Sequence, residues 1–139
     1  MSTNGITWLA RGSAVAMAAA RVAIGFLAVT RPDRLAGSWL GAESGSRKHT
    51  SVRVLGRASG GRDLMLGLGA LGATVAGNRS AGWWLAAGGV VDAVDGVATL
   101  AAWRDLPAES RAKFVIAAFG TAVATAAICA GLPGDRPDR

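Results

Sequence analysis

The sequence predicts an all-α fold, a transmembrane four-helix bundle built as a single domain over residues 1–139. Three observations carry this expectation. Four apolar stretches are separated by polar segments, and each is near the ~20 residues a helix needs to cross hydrocarbon. The apolar share is 51%, yet Ala and Gly supply much of it, with 20 glycines. Such a composition makes a poor core in water but lets helices approach closely in a bilayer. Charged residues are only 17%, against ~25% in soluble domains. A water-soluble helical bundle is the bland alternative.

The first span covers residues 12–30 and stops at Arg31-Pro32-Asp33, because proline lacks the N–H that would continue the helix. Arg21 interrupts this run and no basic cluster precedes it. It therefore reads as a retained helix, not a cleaved signal. Residues 38–52 are rich in Gly, Ser, Arg and Lys and read as a flexible loop or a short surface helix. The second span, 54–76, ends at Gly77-Asn78, a good helix C-terminal signal. The third, 81–103, has Trp83 and Trp103 twenty positions apart. At ~1.5 Å per residue this is about 30 Å, which places an indole at each membrane interface. Trp8 and Trp39 flank the first span in the same way. The fourth span, 111–132, closes at Pro133-Gly134, and 134–139 reads as a frayed tail.

The net charge of +6 raises nucleic acid as a partner. The cations instead fall between the apolar runs, where they act as topology signals and meet anionic headgroups. No nucleic-acid partner is expected. Arg31, Arg34, Arg47, Lys48 and Arg53 follow the first span, and Arg104, Arg111 and Lys113 follow the third. The opposite side carries Arg11, Arg79, Arg136 and Arg139. The richer loops are expected in the cytoplasm of a bacterial cell, with both termini outward from its cytoplasmic membrane. Lone Cys129 and lone His49 supply neither a disulfide nor a metal cluster. No metal or other cofactor is expected.

Asp92 and Asp95 interrupt the third span. A carboxylate in hydrocarbon costs roughly 2.5–3.5 kcal/mol on insertion scales, so it is rare without a partner or a task. At ~100° per residue the two share a stripe with Gly88 and Thr99. On the second span Gly56, Gly60, Asp63, Gly67, Ala70 and Thr74 align, and on the first Ala14, Met17, Arg21, Gly25 and Ala28. Each ionisable group thus lies among small residues, where a neighbouring helix can come near. Gly120, Ala124, Ala127 and Gly131 align on the fourth span, which reads as a packing helix.

Arg21, Arg57 and Arg62 against Asp63, Asp92 and Asp95 would make a neutral interior network. Arginine suits it because its fork holds carboxylates in paired hydrogen bonds. Arg57 can instead snorkel to an interface, and Arg62 should point about 100° away from Asp63. The network reads first as an ion-pair clasp that sets helix register. Next comes a ligand or catalytic pocket, with Asp92 and Asp95 as acid or base on a lipophilic substrate and Arg21 and Arg62 as electrostatic partners. A proton-coupled path is the third reading, and four short spans would need an oligomer to build it.

Gly67-Leu68-Gly69-Ala70-Leu71-Gly72 matches the dinucleotide fingerprint as a string, but it lacks the βαβ setting, so these are packing glycines. Asn78-Arg79-Ser80 lies in a turn too near the bilayer for glycosylation. Thr121 and Thr125 should bond to their own helix backbone.

Gly56-Arg57 and Gly61-Arg62-Asp63-Leu64 open the second span, and an Asp-bearing third span follows. This pattern, with Arg31-Pro32 and Gly41, resembles small uncharacterised four-helix membrane proteins of actinobacteria, similar to the DoxX-like group. The likeness covers about residues 10–132. It implies a four-span bundle and a membrane location, and it transfers no catalytic residues. DoxX relatives associate with redox partners, yet no cysteine pair, haem-ligand pair or quinone signature stands here. The expected partners are membrane lipid, a lipophilic small molecule, and a second copy or a larger membrane complex.

Overall fold

A computed structural model describes residues 3–40 and 50–132. They form five helices and no strand: α1 Thr3–Thr30, α2 Pro32–Leu40, α3 Thr50–Val75, α4 Ala81–Ala101 and α5 Ala108–Gly131. The four expected helices are present, and α2 is an addition. Pro32 does stop α1, as its ring requires. It also opens α2, because a proline at the first helical position gives up an N–H that would have no partner there. Residues 38–40 therefore belong to α2 and 50–52 to α3, which shortens the expected loop. Residues 41–49 and the expected tail at 134–139 lie outside the described residues.

Three helices are long and apolar enough to cross a membrane: Thr7–Thr30 of α1, Ala81–Ala101 and Ala108–Gly131. The expected second span is the exception. Its helix, α3, is 26 residues long but carries Arg53, Arg57, Arg62 and Asp63. Its polarity is offset by neighbours: α1 packs along it on one side and α4 on another.

Large apolar side chains face outward. Trp8, Leu9, Phe26, Met65, Val90, Ile116 and Val123 are all exposed. The interior is small: Ala14, Ala18, Ala70 and Leu85 form the buried cluster, with Leu71 and Ile128 packed against it. This inverted distribution is the composition of a membrane protein, whose solvent is apolar and whose helices meet through small residues.

Backbone meets backbone where α1 crosses α3. A Cβ on Gly25 would lie 2.8 Å from the Gly60 carbonyl oxygen, and one on Gly60 2.9 Å from that of Gly25. Gly67, of the fingerprint-like string, lets Val22 in, and Gly69 lies under the Trp84 indole. Both are packing glycines. Gly72 meets nothing within 4 Å.

α3 ends in a Schellman cap, with Gly77 at φ +66°. The Asn78 amide donates to the Ala73 carbonyl at 2.8 Å, and that of Gly77 to Thr74 at 3.2 Å. At the other end Trp39 of α2 stacks on Phe114 of α5 at 5.1 Å. The Ser110 hydroxyl donates to the Trp39 carbonyl at 2.9 Å. Trp103 lies beneath the Arg111 guanidinium, 4.8 Å from the ring centroid. Trp8 and Trp83 mark one end of the bundle, and Trp39 and Trp103 the other.

The stripe expected to pack on α5 does not. Gly120, Ala124 and Ala127 are exposed. Instead Thr125 meets Gly89, and Phe119 meets Gly96. The small residues of this seam belong to α4, so α5 can present bulkier ones. Thr121 bonds to its own helix, at the Ala117 carbonyl, 2.9 Å. Thr125, expected to do likewise, has a buried hydroxyl with no partner among the described residues.

Candidate functional site

Charged groups meet where α1, α3 and α4 come together. Arg21 enters from α1 and is 13% exposed in its side chain. Its Nη1 donates to Asp63 Oδ1 of α3 at 3.1 Å. Its Nη2 donates to the Asp92 carboxylate of α4 and to the Gly88 carbonyl at 3.3 Å. Arg62 of α3 grips Asp95 of α4 with both arms of its fork, at 2.8 Å and 3.4 Å. Its Nε also reaches Asp63 Oδ1 at 3.4 Å. The result is one alternating chain, Asp92–Arg21–Asp63–Arg62–Asp95, in which every carboxylate has a guanidinium.

The helical pattern explains how the members meet. Asp92 and Asp95 are three residues apart, so both face the same side of α4, toward α1 and α3. Gly88 lies one turn before Asp92. A Cβ there would lie 3.1 Å from Arg21 Nε. Gly88 thus makes room for the guanidinium and also accepts a hydrogen bond from it. That second role was not expected, although its signal, a glycine four residues before Asp92, lay in the stripe. Thr121 of α5 lies near Asp92, while its hydroxyl donates to its own helix backbone.

Two expectations need correction. Arg62 was expected to point about 100° away from Asp63; its main partner is Asp95 and that of Asp63 is Arg21, yet Arg62 Nε also comes within 3.4 Å of Asp63. The 100° between adjacent positions is spanned because the long arginine side chain folds back across its own helix. Arg57 was counted in a neutral six-membered network. It is exposed and donates from Nε to the Val29 carbonyl at 3.4 Å. It sits more than a full turn before Arg62, toward the start of α3, which matches its snorkelling alternative. The set that meets is two guanidiniums and three carboxylates. A separate pair, Arg53 with Asp33 at 3.2 Å, ties α3 to α2.

These pairs are only partly screened by water. Asp92 is 15% exposed and Asp63 20%, whereas Arg62 and Asp95 are about one third exposed. Removing Arg21 leaves Asp92 charged without compensation, at a cost of about 3–5 kcal/mol, whereas removing one carboxylate leaves Arg21 paired with the other. At the wetter Arg62–Asp95 end the cost is smaller. Among the described residues no group of three or more His, Cys, Asp or Glu is placed to hold a metal.

Two crevices lie away from this chain of charges. One, of about 620 Å³, is lined by Arg11, Asn78, Arg79, Trp83 and Cys129 among others. A second, of about 340 Å³, lies at the opposite end between α2 and α5. None of the five charged residues lines either crevice.

Compared with known protein families, residues 18–132 match DUF4267, a domain of unknown function. The match takes in every member of the arginine–aspartate chain. No curated protein and no solved structure matches. An all-helical membrane protein with charges gathered between its first three long helices, the chain belongs to the DUF4267 family.

Proposed function

We propose that the protein is a non-enzymatic, multi-pass component of a bacterial cytoplasmic membrane, in which the arginine–aspartate chain is a structural clasp. In that role it binds a lipid or small lipophilic molecule, or joins a larger membrane complex. One observation carries the clasp: every carboxylate of the set is engaged by a guanidinium from another helix. A group so held has little freedom to attack or protonate a substrate. The termini face outward, because the end with α2 and the α4–α5 turn carries more cations. The kinship with DoxX-like proteins of actinobacteria belongs to this reading. It rests on Gly56-Arg57 and Gly61-Arg62-Asp63-Leu64 in the first half and middle of α3.

Neutralising one member separates the clasp from catalysis and transport. Asp92→Asn should lower folded yield in detergent sharply, while Asp95→Asn should do so less. Arg21→Met should be worse, with a loss of about 3–5 kcal/mol, since it strands Asp92 and leaves Asp63 only its longer contact with Arg62. Replacing Arg21, Asp63 and Asp92 together by apolar residues should restore much of it, because no charge is then left unpaired. If Asp92→Asn folds as the parent does while turnover of a lipophilic substrate disappears, the site is an enzyme's. If proteoliposome flux loses its pH dependence instead, it is a transport path. Either result overturns the clasp.

A further inference from the structure

Among the long helices α3 is the anomaly. It is not apolar enough to cross a membrane unaided, whereas α1, α4 and α5 are. Neighbours offset its polarity on two sides only, α1 on one and α4 on another. A third side stays open. Ala58 is exposed, Met65 is 62% exposed, and a Cβ on Gly61 would meet nothing within 4 Å.

Along the edge where that open side meets α4, the surface is charged. Arg62 and Asp95 pair across it, and their side chains remain 34% and 32% exposed. Asp95 lies six residues before the end of α4 at Ala101, which is about 9 Å along the helix. At that depth a spanning α4 surrounds the pair with acyl chains, which neither donate nor accept hydrogen bonds. Ionisable groups within a membrane face protein or water instead. Both members have capacity to spare. The bonds of Arg62 to Asp95 and Asp63 use three N–H groups, and a guanidinium carries about five. Each Asp95 oxygen takes one bond from Arg62 and has a further lone pair.

The face is self-complementary. Copies inserted in one membrane share an orientation, so a two-fold axis relating them runs along the membrane normal. Such an axis keeps every residue at its own depth. Arg62 and Asp95 touch within one chain and therefore share a depth. The arginine of each copy is thus level with the aspartate of the other, as an isologous interface requires. Ala58 and Gly61 on α3 and Ala98 on α4 flank the pair, and such small residues let helices approach closely. A lone anion or cation would answer half of this face. A second copy answers both halves and moves α3 from the rim to the centre of the assembly.

We infer that a second copy of this chain packs on the outer α3–α4 face, with Arg62 of each protomer beside Asp95 of the partner subunit. This rests on the membrane-component reading and names its partner.

The test is cross-linking of the full chain in membranes by copper–phenanthroline, with the single cysteine removed by Cys129→Ser. Differently tagged chains carrying Ala58→Cys or Ala98→Cys are made together. α3 and α4 run antiparallel, so these positions lie about one turn from the pair at a similar depth. A disulfide between the two kinds of chain is expected. Ile116→Cys, on the exposed side of α5, should cross-link far less. In detergent the Arg62→Gln/Asp95→Asn double variant strands neither charge of the pair. It should stay folded and dimerise roughly tenfold or more weakly than the parent. Linkage no stronger than at Ile116→Cys overturns the face, and so does a folded double variant that dimerises like the parent. If that variant misfolds, the cross-linking arm decides alone, since it keeps both charges. Linkage to some other protein with none between copies overturns the second copy as occupant. A chain that stays monodisperse with no surfactant sinks the underlying membrane reading instead.

Discussion

Glycines line both the α1–α3 and the α4–α5 seams, but they face different things. Gly25 and Gly60 face the backbone of the opposite helix. Gly89 and Gly96 of α4 face side chains, Thr125 and Phe119 of α5. Backbone cannot rotate out of the way, whereas a phenyl ring can. The first seam is also where Arg21 meets Asp63, so close approach and ion pairing reinforce one another there. α5 stands outside that ion pairing and packs on these helices through Ile128, Cys129 and Leu132. A chain this rich in glycine is therefore not uniformly delicate. Its sensitivity depends on what each missing Cβ would have struck.

Substitutions test the contrast directly. Gly60→Val should be the most damaging. Its Cβ would lie 2.9 Å from both the Gly25 oxygen and the Val29 nitrogen. A loss of about 3 kcal/mol is expected from overpacking, read as a lowered melting temperature in detergent. A melting curve like the parent's would mean that the two helices separate easily, and the contrast would fail. Gly96→Ala should cost about 1 kcal/mol, as the Phe119 ring atoms 2.9 Å away can turn aside. If it proves as harmful as Gly60→Val, the α4–α5 seam is as rigid as the other. Gly120→Ala meets nothing within 4 Å. It should be neutral or add about 0.5–1 kcal/mol through helix propensity. A drop in stability there would reveal a second protein surface covering the outward stripe of α5.

Much of this could be read from residue spacing. Asp92 with Asp95, Asp63 among its small neighbours, and Arg21 with Gly25 each fall on one helical face, and three of the four helix faces so deduced are those that meet. Periodicity identifies a distinctive face without saying whether a partner covers it. On α5 the distinctive stripe was small, yet the buried side is the one bearing Thr125 and Phe119. Arg57 had two readings, because an arginine near a helix end has an alternative that one at mid-helix lacks. Side-chain reach misled at Arg62, which bends back over Asp63. Pro32 was read only as a stop. One residue can end a helix and begin the next, and pattern alone shows the first role more readily than the second.

Among the described residues, Pro32 is the largest side chain withdrawn completely from the surface. Ordinary globular proteins tolerate trimming poorly at their centre and tolerate nearly anything polar outside. Here the map of permitted change should be turned over. Growth by one methyl group is the hazard within, and the outer shell should accept any oil-compatible side chain while rejecting charge. Variation among relatives, sorted by bulk instead of by polarity, would then outline the interior of the bundle without a single coordinate.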